Sequence, residues 1–263
     1  MIAIKHATLY FSYMKKQTDP VQVRKSIENE IDKNETQQEY WCYTWLAHAP
    51  LVHGTEKAAL LKNFKWTSGD RITISFLDGD PSIQQKVMSV ARQWVAPGLA
   101  NLTLDFRTNT NQTDIRISFR FNGSWSVLGT TCRLITDLAR PTMNFGWLTQ
   151  NSTDEEIRRV VLHEFGHALG LTHEHMNPVG NILWDKDQVI EDLSGEPNNW
   201  SPAEIENNMF RVFDEQETNF TALDPLSIMM YPIPARWTLN GFSIGLNNQL
   251  SDVDKNFIRQ EYP

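Results

Sequence analysis

The sequence predicts an α/β or α+β layer with a mostly parallel sheet, preceded by an N-terminal extension over residues 1–64. Three observations carry this expectation. From Asp70 onward, strand-like and helix-like periodicities follow one another in the order strand, helix, strand, strand, helix. Hydrophobic residues make up 40% of a 263-residue chain, which fits one large domain, or one domain plus an extension, around a sizeable core. Residues 1–64 lack the regular alternation that begins after them.

Within the extension, DPVQVRKSIENEIDKNE (19–35) reads as a helix. Asp19 can cap it, Pro20 suits its first turn, and Val23, Ile27 and Ile31 form an apolar stripe. YWCYTWLAHAPLVHG (40–54) is aromatic and partly apolar. TSGD (67–70) reads as a turn entering the first strand of the regular region. RITISFLDG (71–79) alternates as a strand does and stops at Asp-Gly. PSIQQKVMSVARQWVAPG (81–98) is a helix with Ile83, Val87, Val90 and Trp94 on one face. LTLDFRT (102–108) and DIRISFRF (114–121) are strands, and VLGTTC (127–132) and TMNFGW (142–147) are weaker strand candidates. NSTDEEIRRVVLHEFGHALGL (151–171) is a second long helix, with Ser152 or Thr153 as its cap and Glu155 or Glu156 three residues on. After residue 171 the periodicity fades. Helices are expected there at SPAEIENNMFRVFDE (201–215) and SDVDKNFIRQEY (251–262).

Bulk properties exclude several functions. The net charge is −8 and no basic block occurs, which argues against nucleic acid as a partner. No apolar run reaches the roughly 18 residues of a membrane span. The N-terminus lacks a small-x-small cleavage site, so a cytoplasmic protein, or one exported by a non-classical route, is expected. On that expectation the Asn-x-Ser/Thr sequons at Asn34, Asn101, Asn111, Asn122, Asn151, Asn199 and Asn219 carry no glycan. The two cysteines, Cys42 and Cys132, can pair or remain thiols. Nothing in the sequence sets an oligomeric state.

The chemistry concentrates in VVLHEFGHALGLTHEHMNP. The chain has seven histidines, and four of them stand here: His163, His167, His173 and His175. On a helix, positions i and i+4 share a face, so His163 and His167 present two imidazoles one turn apart. Glu164 lies about 100° round the helix from His163, placed to reach a group bound beside the metal without being a ligand. Gly170 can adopt the left-handed conformation that ends a helix, and His173 then approaches the same point from another direction. Three neutral imidazoles with an open fourth position describe a catalytic zinc site rather than a structural one. A core helix with unrelated buried histidines would explain any one of these residues. It does not explain a pattern with five fixed positions, H-E-x-x-H-x-x-G-x-x-H. His175 is not required as a ligand and is read as a supporting or surface residue.

That eleven-residue stretch resembles the zinc-binding consensus of the metzincin metalloproteases. LDPLSIMMYP (223–232) is similar to the Met-turn of the astacin-like branch, and Glu174 and the closing LSDVDKNFIRQEYP also match it. The resemblance covers residues 65–263 and suggests a divergent microbial relative. It implies an α+β catalytic domain with a twisted, mostly parallel sheet, a backing helix, an active-site helix, and a loop-rich C-terminal subdomain ending in a helix. It implies one zinc ion per chain on His163, His167 and His173, with Glu164 as general base and proton shuttle. Met229 would be the Met-turn methionine beneath the metal. Tyr231 would be a weak ligand at rest and an oxyanion stabiliser during reaction. The implied activity is endopeptidase cleavage of a peptide bound extended along an edge strand, which is expected around Ser126 to Cys132. The alternative is a zinc-containing binding protein without general proteolytic activity.

This chain departs from astacins in having only two cysteines, in MNPVGNILWD after the third histidine, and in Met230 where a histidine is usual. In astacins the residue matching Glu174 contacts the N-terminus of the processed enzyme. Residues 1–64 are read as an inhibitory prosegment, a folded extension, or a delivery and partner-binding segment. Cys42 invites a switch in which its thiolate fills the open metal position, but EYWCYTW lacks the flanking pattern that matrixins use.

Overall fold

The structure, a computed structural model, describes residues 42–44, 65–177, 179–195, 198–212 and 222–263. The helix expected over 19–35 lies outside these residues.

Six strands form one sheet in the order β1-β5-β6-β4-β2-β3. They are β1 (Cys42–Thr44), β2 (Arg71–Phe76), β3 (Thr103–Phe106), β4 (Ile115–Ser118), β5 (Ser124–Ser126) and β6 (Met143–Phe145). All pairings are parallel except that of β5 with β6. A mixed α/β architecture with a mostly parallel sheet is therefore what the chain adopts. The central strand β4 is buried along its whole length. Its Arg116 is kept there by donating to three carbonyls: Nε to Arg140 O at 2.8 Å, one terminal nitrogen to Thr113 O at 2.9 Å, and the other to Ile135 O at 2.8 Å. The TSGD segment is the expected turn, with Asp70 N–H donating to Thr67 O and the Asp70 carboxylate accepting from Thr67 N–H.

Two helices pack against the sheet. Helix α1 (Pro81–Ala91) is capped by the Asp80 carboxylate, which accepts from Ser82 N–H at 2.8 Å. Ile83, Val87 and Ala91 face the core, and a 3₁₀ turn, Arg92–Val95, carries Trp94 inward. Helix α2 (Asp154–Ala168) is capped by Thr153 and carries three acidic residues in its first turn, where the helix dipole favours them. The Trp94 indole donates to Leu162 O at 3.0 Å and joins the two helices.

A second core lies after residue 171. It gathers Val189 and Leu193 from α3 (Lys186–Ser194), Ile205 from α4 (Pro202–Ile205), Met209 and Phe210, together with Met230, Tyr231, Ile233 and Trp237. Trp147 packs against both cores. Helix α5 (Asp252–Glu261) closes the described chain and opens on a Ser251–Asp254 capping box.

Three sequence expectations change. VLGTTC is not a strand: Gly129 has φ +50° and the chain coils into a 3₁₀ helix over Gly129–Leu134, after the strand has ended at Ser126. The stretch Ser126–Cys132 is therefore not an edge strand; the strand there is β5, and β1 of the extension already pairs with its outer side. The helix expected over 201–215 is α4 followed by a π-helical turn, Glu206–Phe210, while residues 213–215 lie outside the described ones. The Asn208 side chain donates to Glu204 O at 2.9 Å, and the backbone then widens so that Arg211 N–H reaches Glu206 O at 3.0 Å. The sequence reading also missed α3.

Candidate metal centre

Helix α2 ends in a Schellman motif. Gly170, at φ +95°, donates from its N–H to His167 O at 2.8 Å, and Leu171 N–H reaches back to Gly166 O at 2.9 Å. This reversal aims Leu171 O at the His167 ring, whose Nδ1 lies 2.8 Å away. His163 Nδ1 lies 2.8 Å from Ile228 O. A carbonyl only accepts, so in both rings Nδ1 carries the hydrogen and Nε2 is left as a bare lone pair.

Those lone pairs converge. His167 Nε2 is 3.2 Å from His163 Nε2 and 3.0 Å from His173 Nε2, with all three ligand atoms within 4.8 Å of one another. A tetrahedral zinc with bonds of about 2.0–2.1 Å would set neighbouring nitrogens about 3.3 Å apart, so the donor set fits such an ion. Burial pushes the pKa of His163 down to about 4, and those of His167 and His173 well below the usual value. The three histidines singled out in the sequence are thus brought together as neutral ligands that can hold a metal ion. Glu164, beside His163 on the helix, is fully buried.

The segment 227–231 lies against the end of α2. A β-carbon on Gly166 would stand 2.2 Å from Met229 Sδ, so the glycine is what lets Met229 lie against α2. Ser227 Oγ donates to Asp254 Oδ1 at 2.7 Å, and Ile228 N–H donates to Asp254 Oδ2 at 2.8 Å. Helix α5 therefore fixes the loop whose Ile228 carbonyl orients His163. Glu174 N–H donates to Met229 O at 3.0 Å and joins the third-histidine loop to the same turn. Burial, aided by Asp254 and Asp224, pushes the Glu174 carboxyl up to about 7.

Tyr231 is buried, its ring 4.2 Å from that of His173 and 5.9 Å from that of His163. His175 is buried too, which rules out the surface reading. Cys132 is a buried free thiol, and the side chain of Cys42 lies outside the described residues.

Sequence reasoning missed the groups that finish the site. The last carbonyls of α2 are bound by distant side chains: Trp66 Nε1–H donates to Ala168 O at 2.8 Å and the Tyr262 hydroxyl to Leu169 O. The hold of Asp254 on Ile228 spans 26 residues and leaves no local pattern.

Fold and site together define a three-histidine metal centre on an α/β scaffold. No family sequence model and no curated protein sequence matches the chain. Two solved structures of myroilysin do. One is 41% identical with a TM-score of 0.73, covering 77% of this chain and 97% of that one. The other is 37% identical with a TM-score of 0.60, covering 87% of this chain and 93% of that one. The chain belongs to the family of myroilysin, a metalloprotease. Residues 65–263 are about three quarters of the sequence, so the match that covers 87% reaches into residues 1–64.

Proposed function

We propose that the protein is a zinc-dependent endopeptidase of the metzincin type, astacin-like in its Met-turn. The observation that carries this reading is the convergence of three Nε2 atoms, two of whose rings, those of His163 and His167, are oriented by backbone carbonyls, next to a buried glutamate. His163, His167 and His173 would hold one zinc ion per chain. Bound there, zinc supplies Lewis acidity, lowering the pKa of a water and polarising a carbonyl. Glu164 accepts the proton of the attacking water and returns it to the leaving amine. Tyr231 donates a hydrogen bond to the developing oxyanion. Met229 is structural and supports the ligand helix from below.

The substrate reading is a peptide extended along β5. Support comes from β1, which already adds to that edge in the register Cys42–Ser124, Tyr43–Trp125 and Thr44–Ser126. A segment in that position excludes a substrate, so residues 1–64 are read as an inhibitory prosegment. Casein cleavage tests the function, with N-terminal sequencing of the active species. The expected result is cleavage abolished by a chelator and by Glu164→Gln, while the variant keeps about one zinc per chain. If zinc-loaded wild-type protein cleaved neither casein nor any protein in a proteome-wide screen, the zinc-binding alternative would stand instead.

A further inference from the structure

His175 takes no part in the reaction proposed above, yet it is 3% exposed and built into the site. Its Nε2–H donates to Asn208 O at 2.7 Å, while its Nδ1 is buried without a hydrogen-bond partner. An apolar ring would fill the same space and leave no orphaned nitrogen. What histidine adds is the bond to Asn208 O, which fixes the plane of the ring. That plane lies against Tyr231, with centroids 4.8 Å apart and planes inclined by 23°. Trp184 meets the other part of His175 edge-on, with centroids 6.2 Å apart. The Tyr231 ring also meets that of His173, at 4.2 Å, and His173 and His175 are themselves 5.3 Å apart, so the three rings form one triangular cluster.

We propose that His175 is a positioning residue for Tyr231, holding the phenol ring in place beside His173 so that its hydroxyl is aimed at the oxyanion. The inference rests on the role given above to Tyr231. A donor assists only when it points to where charge develops, and a displacement of about 1 Å can cost about 10²-fold in rate. The π-helical turn Glu206–Phe210 acquires a purpose here, since its Asn208 carbonyl anchors the His175 ring.

The test places His175→Ala and His175→Phe in two backgrounds, native and Tyr231→Phe, in the active enzyme obtained from the full chain. Four quantities are read: kcat, KM, bound zinc, and the Kd of a phosphinic pseudopeptide that mimics the tetrahedral oxyanion. In the native background His175→Ala should lower kcat about 10- to 100-fold, with KM little changed and zinc retained. Phosphinate binding should weaken by a similar factor. His175→Phe keeps the stacking face and should lose less; it also serves if the alanine variant fails to fold. In the Tyr231→Phe background either change should add less than about two-fold, because the hydroxyl being aimed is already gone. Equal losses in both backgrounds would mean a purely structural role and overturn the proposal. So would loss of zinc, or an unchanged kcat in His175→Ala when Tyr231→Phe is impaired. Full activity in Tyr231→Phe would overturn the role of Tyr231 and this inference together.

Discussion

Replacing Gly166 by alanine sets two effects of opposite sign against each other. In a helix interior alanine is better than glycine by about 1 kcal/mol, so propensity alone makes Gly166→Ala stabilising. The new β-carbon, however, would lie 2.2 Å from Met229 Sδ, 3.1 Å from its methyl carbon and 3.3 Å from Trp94 Cζ2. Met229 is 1% exposed and Trp94 fully buried, so neither has open space to enter. Overpacking of this kind costs about 1–3 kcal/mol. The expected net effect is a destabilisation of up to about 2 kcal/mol, with zinc held more weakly because Gly166 adjoins His167. Urea unfolding and metal content at matched chelator concentration measure both. Met229→Ala alone should cost about 2–5 kcal/mol through the cavity it opens. In that background Gly166→Ala should become neutral or stabilising, because its obstacle is gone. A Gly166→Ala protein more stable than wild type in the native background would refute the placement of Met229 against the helix.

Three further outcomes follow from the same geometry. His167→Ala should lose most of the zinc, since His167 Nε2 lies within hydrogen-bonding distance of both partners; metal analysis after dialysis checks this. In metal-free protein, burial lowers the His163 pKa from 6.5 to about 4, so below pH 6.5 the unfolded chain takes up a proton that the fold refuses. Stability of the apo form should therefore fall as pH drops from 6.5 towards 4, and urea midpoints across that range should show it. A chain beginning at Phe64 should cleave a generic peptide faster than the full chain; equal rates would remove the inhibitory reading of the extension.

The sequence was most legible where structure is local. A cap at Ser152 or Thr153, the i, i+4 pair of histidines and the stop at Gly170 are each set within a few residues, and all were readable in order. The stripe Ile83, Val87, Trp94 was equally plain, because burial on one face imposes its period. Legibility failed where distant groups decide. Gly129 looked tolerable in a strand until its positive φ turned the chain. Asn208 gave no sign that its side chain would take a helix carbonyl. His175 could not be placed, because its burial depends on the turn 206–210 and on Trp184. The two carbonyls that orient His163 and His167 are invisible to sequence by nature, since every residue has one.

The bonds that Tyr262 and Asp254 make to the site bear on the order in which the centre can come into being. Translation delivers His163, His167 and His173 within a few residues of one another. The hydroxyl that holds Leu169 O, just before the third ligand, is synthesised 93 residues later. Asp254, which secures the carbonyl orienting His163, is synthesised 26 residues after the Ile228 it holds. A chain that extends only as far as His173 has its ligands but lacks Ile228, whose carbonyl orients His163, and the Asp254 and Tyr262 that hold the site together. The geometry of the centre is thereby set by chain that is made well after the ligands themselves.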